Sequence, residues 1–365
     1  MKEIAQVFLK LGCVAFGGPA AHIAMMQEEL VEKRKWLTQK EFLSYIGLTQ
    51  LIPGPNSSEL VLHLGYVRKG MPGLLLAGIC FLAPALLSTW ILAWVYVTYG
   101  KLPSVANAFI GIQAMVLVII FSALLKLAKK QFETGLWLIF LIALTIMSVL
   151  GLAPWWLIII GGLLFLPTQK AANSVVATPV LLASTASTKA ISGSGIFWVF
   201  LKIGSILFGS GYVLVAYLEQ ILIQDLGWIN QQQLLDSIAL GQFTPGPVLS
   251  TATFIGYILN GNLGALMATV GIFLPAFVLV SLSGPLISKL KNKPLFERFL
   301  KGVNLAALAI FIAAFIKLTQ PVLFNPLIIV VASLGALLHF KFKWSAPKLI
   351  LVGLFIGVTY YFFIA

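Results

Sequence analysis

A phrase that no helix can carry unbroken occurs twice in this chain. Gln50-Leu51-Ile52-Pro53-Gly54-Pro55-Asn56-Ser57-Ser58 lies inside a mostly apolar segment from Phe42 to Val67. Gln242-Phe243-Thr244-Pro245-Gly246-Pro247-Val248-Leu249-Ser250 comes 245 − 53 = 192 residues later. Proline lacks the backbone N–H and its ring collides with the preceding turn. In lipid such a break is tolerated only where protein or a water-filled cavity receives the freed backbone. A break repeated at matching positions of two halves points to a transporter binding site.

Composition fixes the setting. The chain has 365 residues, 60% hydrophobic and 10% charged, with a mean hydropathy of +1.01. A soluble domain is nearer a quarter charged. Runs such as Leu74 to Val97 are continuously apolar, which excludes the alternating strands of an outer-membrane barrel. The chain reads as an all-α polytopic membrane protein. Its net charge of +13 reflects Lys and Arg in short loops, where they set topology, and no nucleic-acid partner is implied. Cys13 and Cys80 lie in apolar segments and the three histidines are scattered, so neither a disulfide framework nor a metal site is expected.

The duplication extends beyond the breaks. Val7 to Gly18 aligns with Val199 to Ser210 at the same offset, with seven of twelve positions identical. The apolar N-terminus resembles a signal peptide, but a segment with an internal copy belongs to the fold. Trp36 matches Trp228, and at an offset of 191 Gly65-Tyr66 matches Gly256-Tyr257 and Pro84 matches Pro275. The halves are 1–167 and 195–365, joined by an Ala/Ser/Thr-rich linker, 168–194.

Each half offers six apolar segments. In the first they run roughly 4–27, 42–67, 73–99, 104–126, 135–150 and 152–167; in the second, 195–223, 238–260, 263–288, 299–318, 325–338 and 348–364. The loops around the first break carry Lys33, Arg34, Lys35, Lys40, Arg68 and Lys69, whereas Gln224 to Ser237 carries no Lys or Arg. The later loops also alternate in opposite senses, so positive-inside counting orients the halves oppositely. The loops flanking each Pro-Gly-Pro lie on one side. The expectation is an inverted repeat, each half with about five transmembrane helices plus a re-entrant Pro-Gly-Pro hairpin, both termini outside and the linker inside.

The break residues suit a tetrahedral oxyanion. Proline is favoured at the first helical position, so Pro55 and Pro247 are expected to open helices. That leaves free amides on Asn56, Ser57 and Ser58, and on Val248, Leu249 and Ser250. Free N–H groups and the helix dipole together bind anions. Gln50, Pro53, Thr49, Gln242, Thr244 and Pro245 flank these amides, and Gly54 and Gly246 allow close backbone approach. Glu59, Glu219 and His22 are ionisable groups in apolar segments, hence candidates for proton coupling. Glu28, Glu29 and Glu32 beside Lys33-Arg34-Lys35 read as a solvated loop. Lys10 and Lys202, at matched positions about 9 Å into their segments, are candidates to flank a dianion or else snorkel to the headgroups.

Phe16-Gly17-Gly18-Pro19 with His22, Gln50 with Pro53-Gly54-Pro55, and the duplicated Phe-Gly and Pro-Gly-Pro motifs resemble the chromate transporter (CHR) family in its two-domain form. The resemblance implies export of chromate from the bacterial cytoplasm across the inner membrane, coupled to the proton gradient. It adds Gly17, Gly18, Gly209 and Ser210 to the substrate-site candidates. Gly209-Ser210-Gly211 replaces Gly17-Gly18-Pro19, and Leu214 replaces His22, so the halves are not chemically equivalent. The expected partners are chromate or a sulfate-like oxyanion, the bilayer and protons, with a homodimer left open and no cofactor. Sulfate transport and a passive anion channel remain alternatives. An intramembrane enzyme does not, for the chain has no His-Glu-x-x-His, no Gly-x-Ser-x-Gly and few acids.

Overall fold

A computed structural model describes residues 1–16, 18–50, 52–100, 102–131, 135–165, 191–209, 211–290, 294–320, 322 and 324–363. Gly17, Ser210 and linker residues 168–190 lie outside this set. The described residues form helices and connecting turns, with no strand among them. Four helical stretches, Asn56–Tyr99, Ala108–Lys129, Val248–Leu282 and Glu297–Thr319, are long and apolar enough to cross a membrane.

The first segment, expected to cross as one piece, is two helices. α1 (Lys2–Val14) ends at Ala15, and α2 (Pro19–Met26) begins with proline at its first position and continues as a π-helix, Gln27–Lys33. Gly18 turns the chain between them at φ +81°. The two helices then run back alongside each other. Lys10 Nζ meets Glu29 Oε2 at 3.2 Å, and Arg34 Nη1 meets Glu3 Oε1 at 3.4 Å. Residues 3 and 34 of a straight helix would stand about 46 Å apart. Residues before and after this segment therefore share one end, contrary to the sequence expectation for the N-terminus. Glu29 is also no solvated loop residue, being 7% exposed between Lys10 and Arg34.

The second segment doubles back in the same way. α3 (Gln39–Thr49) opens on a capping box in which Thr38 and Glu41 each satisfy the other's backbone N–H. α4 (Asn56–Tyr99) comes after the break and itself contains a reversal, at Lys69 and at Gly70 with φ +62°. The backbone of Gly65 touches that of Gly73, eight residues on, so the two arms of α4 pack antiparallel. Glycine at both contact points lets the backbones close, as small residues do between membrane helices. Arg68 lies 4.9 Å over the Trp36 ring and bonds Glu3. The free ends of α1, α2, α3 and the first arm of α4 thus meet in one polar cluster. There the Trp36 hydrogen bond, with Arg68 and Arg34, holds the Glu3 carboxyl below its usual range.

α5 (Pro103–Gln131), α6 (Gly135–Val149) and α7 (Pro154–Leu164) complete the first half. The second half repeats the order. α8 (Gly193–Ile206) is succeeded, across a break, by α9 (Leu214–Leu218) and a π-helix (Glu219–Asp225). α10 (Gln231–Phe243) leads through the second Pro-Gly-Pro to a 3-10 turn (Val248–Ser250) and α11 (Thr251–Leu290). α11 reverses at Asn260 and Gly261, φ +53°, with Gly256 against Gly264. α12 (Pro294–Thr319), α13 (Pro326–Phe340) and α14 (Ala346–Phe363) close the chain.

The halves interlock. The second arms of α4 and α11 cross, with Gly78 against Phe277. Trp90 Nε1 donates to Asn262 Oδ1 at 2.9 Å. Trp90 is about 30 Å along its arm from Gly70, so the reversals of α4 and α11 lie at opposite ends of that arm. α7 packs on α12 through Gly161 and Gly302, and α14 on α5 through Gly353 and Gly111. Each half's last helix therefore seats on the other half's long helix.

Candidate functional site

All four breaks converge on this crossing, and each Pro-Gly-Pro is clasped by the other half. The Gly54 N–H donates to the Leu207 carbonyl at 2.7 Å, and the Gly246 N–H donates to the Ala15 carbonyl at 2.7 Å. Ala15 and Leu207 are matched residues, immediately before Phe16 and Phe208. Gly54, φ +142°, packs on Ala276; Gly246, φ +105°, packs on Ala85. Gly18 faces the Tyr212 hydroxyl, and Gly211 faces Pro55, Val248 and Leu249. Gly209, φ +96°, turns the fourth break beside Asn304.

Pro55 is the N-cap of α4, and Pro247 is the N-cap of the Val248–Ser250 turn, each one position earlier than expected. A capping carbonyl accepts from the first turn, and the Ser58 and Ser250 amides bond to the Pro55 and Pro247 carbonyls at 2.8 and 3.0 Å. The free amides are therefore two per half, Asn56 with Ser57 and Val248 with Leu249. Beside them, Ser58 Oγ, both Glu59 oxygens, Ser250 Oγ, Thr251 Oγ1 and Gln242 Nε2 are buried without a hydrogen-bond partner. Native interiors leave few such groups unpaired. Thr244 Oγ1 donates to the Gly241 carbonyl at 3.0 Å and accepts from Thr89 at 3.3 Å. A cavity of about 520 Å³ lies against this break, lined by Phe16, Ser88, Leu92, Phe243, Thr244 and Pro245 among others.

His22 is built into the site. Its Nε2 lies 3.0 Å from the Ala15 carbonyl and its Nδ1 3.2 Å from Ser57 Oγ. A carbonyl only accepts, so Nε2 carries the proton and Nδ1 accepts from the Ser57 hydroxyl. Ala15 O thus takes both the His22 and the Gly246 donors. Glu59 is fully buried, its carboxyl against the Cα of Gly54. A bare carboxylate without a donor is costly to bury, so the neutral carboxyl suits this packing.

Residues 2–166 and again 194–358 match the family model for the chromate transporter. The chain belongs to the chromate transporter family. A probable chromate transport protein of Synechococcus elongatus is 32% identical over 99% of this chain and 96% of its own length. The chromate transport protein of Cupriavidus metallidurans is 32% identical, covering 99% and 93%. An uncharacterised transporter of Methanocaldococcus jannaschii is 26% identical over 97% of this chain and 93% of its own. No solved structure matches the chain.

Lys10, Lys202 and Glu219 of this chromate transporter family member have their partners away from the breaks. Lys10 is engaged by Glu29, and Lys202 lies 3.6 Å over the Trp155 ring. Neither ammonium bonds a described residue of the breaks. Glu219 accepts from Gln224 at 2.7 Å and lies 3.9 Å from Lys317, within a polar cluster at the end of α12. Gln50 caps α3 and is exposed. Two buried polar residues escape a reading of the sequence alone. Asp236 accepts from Tyr96 Oη and Gln113 Nε2, both at 2.8 Å. His63 Nε2 is buried with no partner.

Proposed function

We propose that this protein exports chromate from the bacterial cytoplasm across the inner membrane, coupled to the proton gradient. One observation carries the reading: four unused amides and a set of orphaned hydroxyls, from both halves, gather where the two halves cross. The relatives' names supply chromate as the substrate. Amide donors aimed from two helix ends suit a tetrahedral dianion. The oxyanion is bound by the amides of Asn56, Ser57, Val248 and Leu249 and by the hydroxyls of Ser58 and Ser250. His22 orients Ser57. Lys10 and Lys202 stand outside this set.

Glu59 is the coupling group. The protonation state of Glu59 sets the charge that an anion meets at this break, so proton and anion occupancy are linked there. Chromate uptake into inverted vesicles under an imposed pH gradient, with sulfate as competitor, tests the whole reading. Glu59→Gln lowers gradient-driven flux on the order of 100-fold and leaves chromate exchange running. Gradient-driven flux at the wild-type rate in that variant assigns coupling elsewhere.

The two halves lie in opposite orientations, with α3 and the first arm of α4 re-entrant. The basic loops of the first half and the separation of the α4 and α11 reversals support this. Single cysteines replacing Lys35 and Gln232 therefore label from opposite faces of the membrane with an impermeant maleimide. Labelling from one face would rule out inversion.

A further inference from the structure

We infer that His63 is the proton relay between Glu59 and the cytoplasmic end cluster. The inference rests on the coupling role of Glu59 and extends it to a residue and a route. Glu59 and His63 are four residues apart on the first arm of α4, so their Cβ atoms lie about 5–6 Å apart on one face. Both are buried, at 0% and 6% exposure. The Glu59 oxygens and His63 Nε2 are all without a hydrogen-bond partner. A buried imidazole that served only packing would engage its ring nitrogen with a neighbour, as His22 does with Ala15 and Ser57. His339 likewise meets Ser122 and the Trp344 carbonyl.

The position completes a stair. Arg68, in the polar cluster with Glu3 and Trp36, is about 7.5 Å beyond His63, and Glu59 is about 6 Å deeper, beside Gly54. The groups facing this stair are few among the described residues. α3 sets the Tyr45 ring 6.1 Å from that of His63, with Glu41 one turn behind it. α11 sets Ala276 beside Gly54. The matching stretch of the second half, Ser250 to Ile255, has no ionisable side chain, so the route exists on one side only.

The step balances without a further reactant. The proton crosses through one water: the Glu59 carboxyl O–H breaks as an N–H forms at His63 Nε2, and the other ring nitrogen gives its proton to water at the end cluster. Glu59 is reprotonated from the break, and tautomer exchange through water returns the ring proton from Nε2 to the other nitrogen, so one proton passes and both groups return to their starting forms.

The test uses the full chain in liposomes with a pH dye inside and chromate as the probe. Chromate-driven proton flux and exchange of labelled chromate are both read. His63→Gln and His63→Leu are expected to slow proton flux at least about tenfold with exchange at the wild-type rate. Imidazole added to the buffer is expected to restore part of the flux in both variants. Wild-type proton flux in either variant overturns the relay while leaving Glu59 coupling intact. Parallel loss of flux and exchange, without imidazole rescue, overturns it by assigning His63 a structural role. Wild-type protein that carries chromate but moves no protons removes the coupling reading and the relay together.

Discussion

Gly54→Ala and Gly246→Ala each reduce chromate flux by about 100-fold while the protein remains in the membrane. Both residues hold positive φ values, +142° and +105°, that an L side chain adopts only under strain. Such strain costs on the order of 1–3 kcal/mol. Steric conflict adds to it, because a methyl at Gly54 meets the Glu59 carboxyl and one at Gly246 lies 2.6 Å from the Ala85 Cβ. The break must shift, and with it the amide that donates to the opposite half and the free amides one step beyond. The flux per protein, normalised to the amount extracted from membranes, reads the effect. Wild-type flux from either variant would mean that the break geometry is not the binding geometry.

The largest effect on folding falls elsewhere. Gly65→Leu and Gly256→Leu prevent recovery of monodisperse protein after detergent extraction. At each site a Cβ meets the carbonyl of the facing arm, Gly73 in one half and Gly264 in the other, with Ala77 and Ala268 behind. Overpacking costs about 1–3 kcal/mol even where side chains can move, and here the obstacle is backbone. Gly70 gives the contrast. Its φ is +62° but nothing lies within 4 Å of an added Cβ, so Gly70→Asn meets backbone strain of about 1–3 kcal/mol without a clash and destabilises less than either leucine variant. The yield of monodisperse protein from the three variants in one detergent separates them, and equal yields would show that the arms can part freely.

These contacts mark where sequence reading succeeds and stops. The Pro-Gly-Pro breaks are legible because proline chemistry is local. The break at Ala15–Gly18 has a local sign too, two glycines before Pro19, but apolar residues on both sides hide the reversal. The ion pairs Lys10–Glu29 and Glu3–Arg34 exist only once the chain doubles back, so a linear reading leaves Lys10 free and Glu29 solvated. Asp236 reads as a loop residue because the next apolar run begins at Ile238, whereas α10 starts at Gln231. The clasps join residues 54 with 207 and 15 with 246 through backbone atoms, which every residue carries and no side-chain pattern announces.

Those clasps bear on ancestry. Neither half supplies the acceptor for its own Pro-Gly-Pro glycine; each offers its carbonyl to the sibling. In hydrocarbon an unanswered backbone group costs several kcal/mol. A lone half would hold two such groups, one amide and one carbonyl, at the bottom of its fold. Fusing both copies into a single polypeptide makes donor and acceptor equal in number at every ribosome pass, a stoichiometry that two separate genes could only approximate.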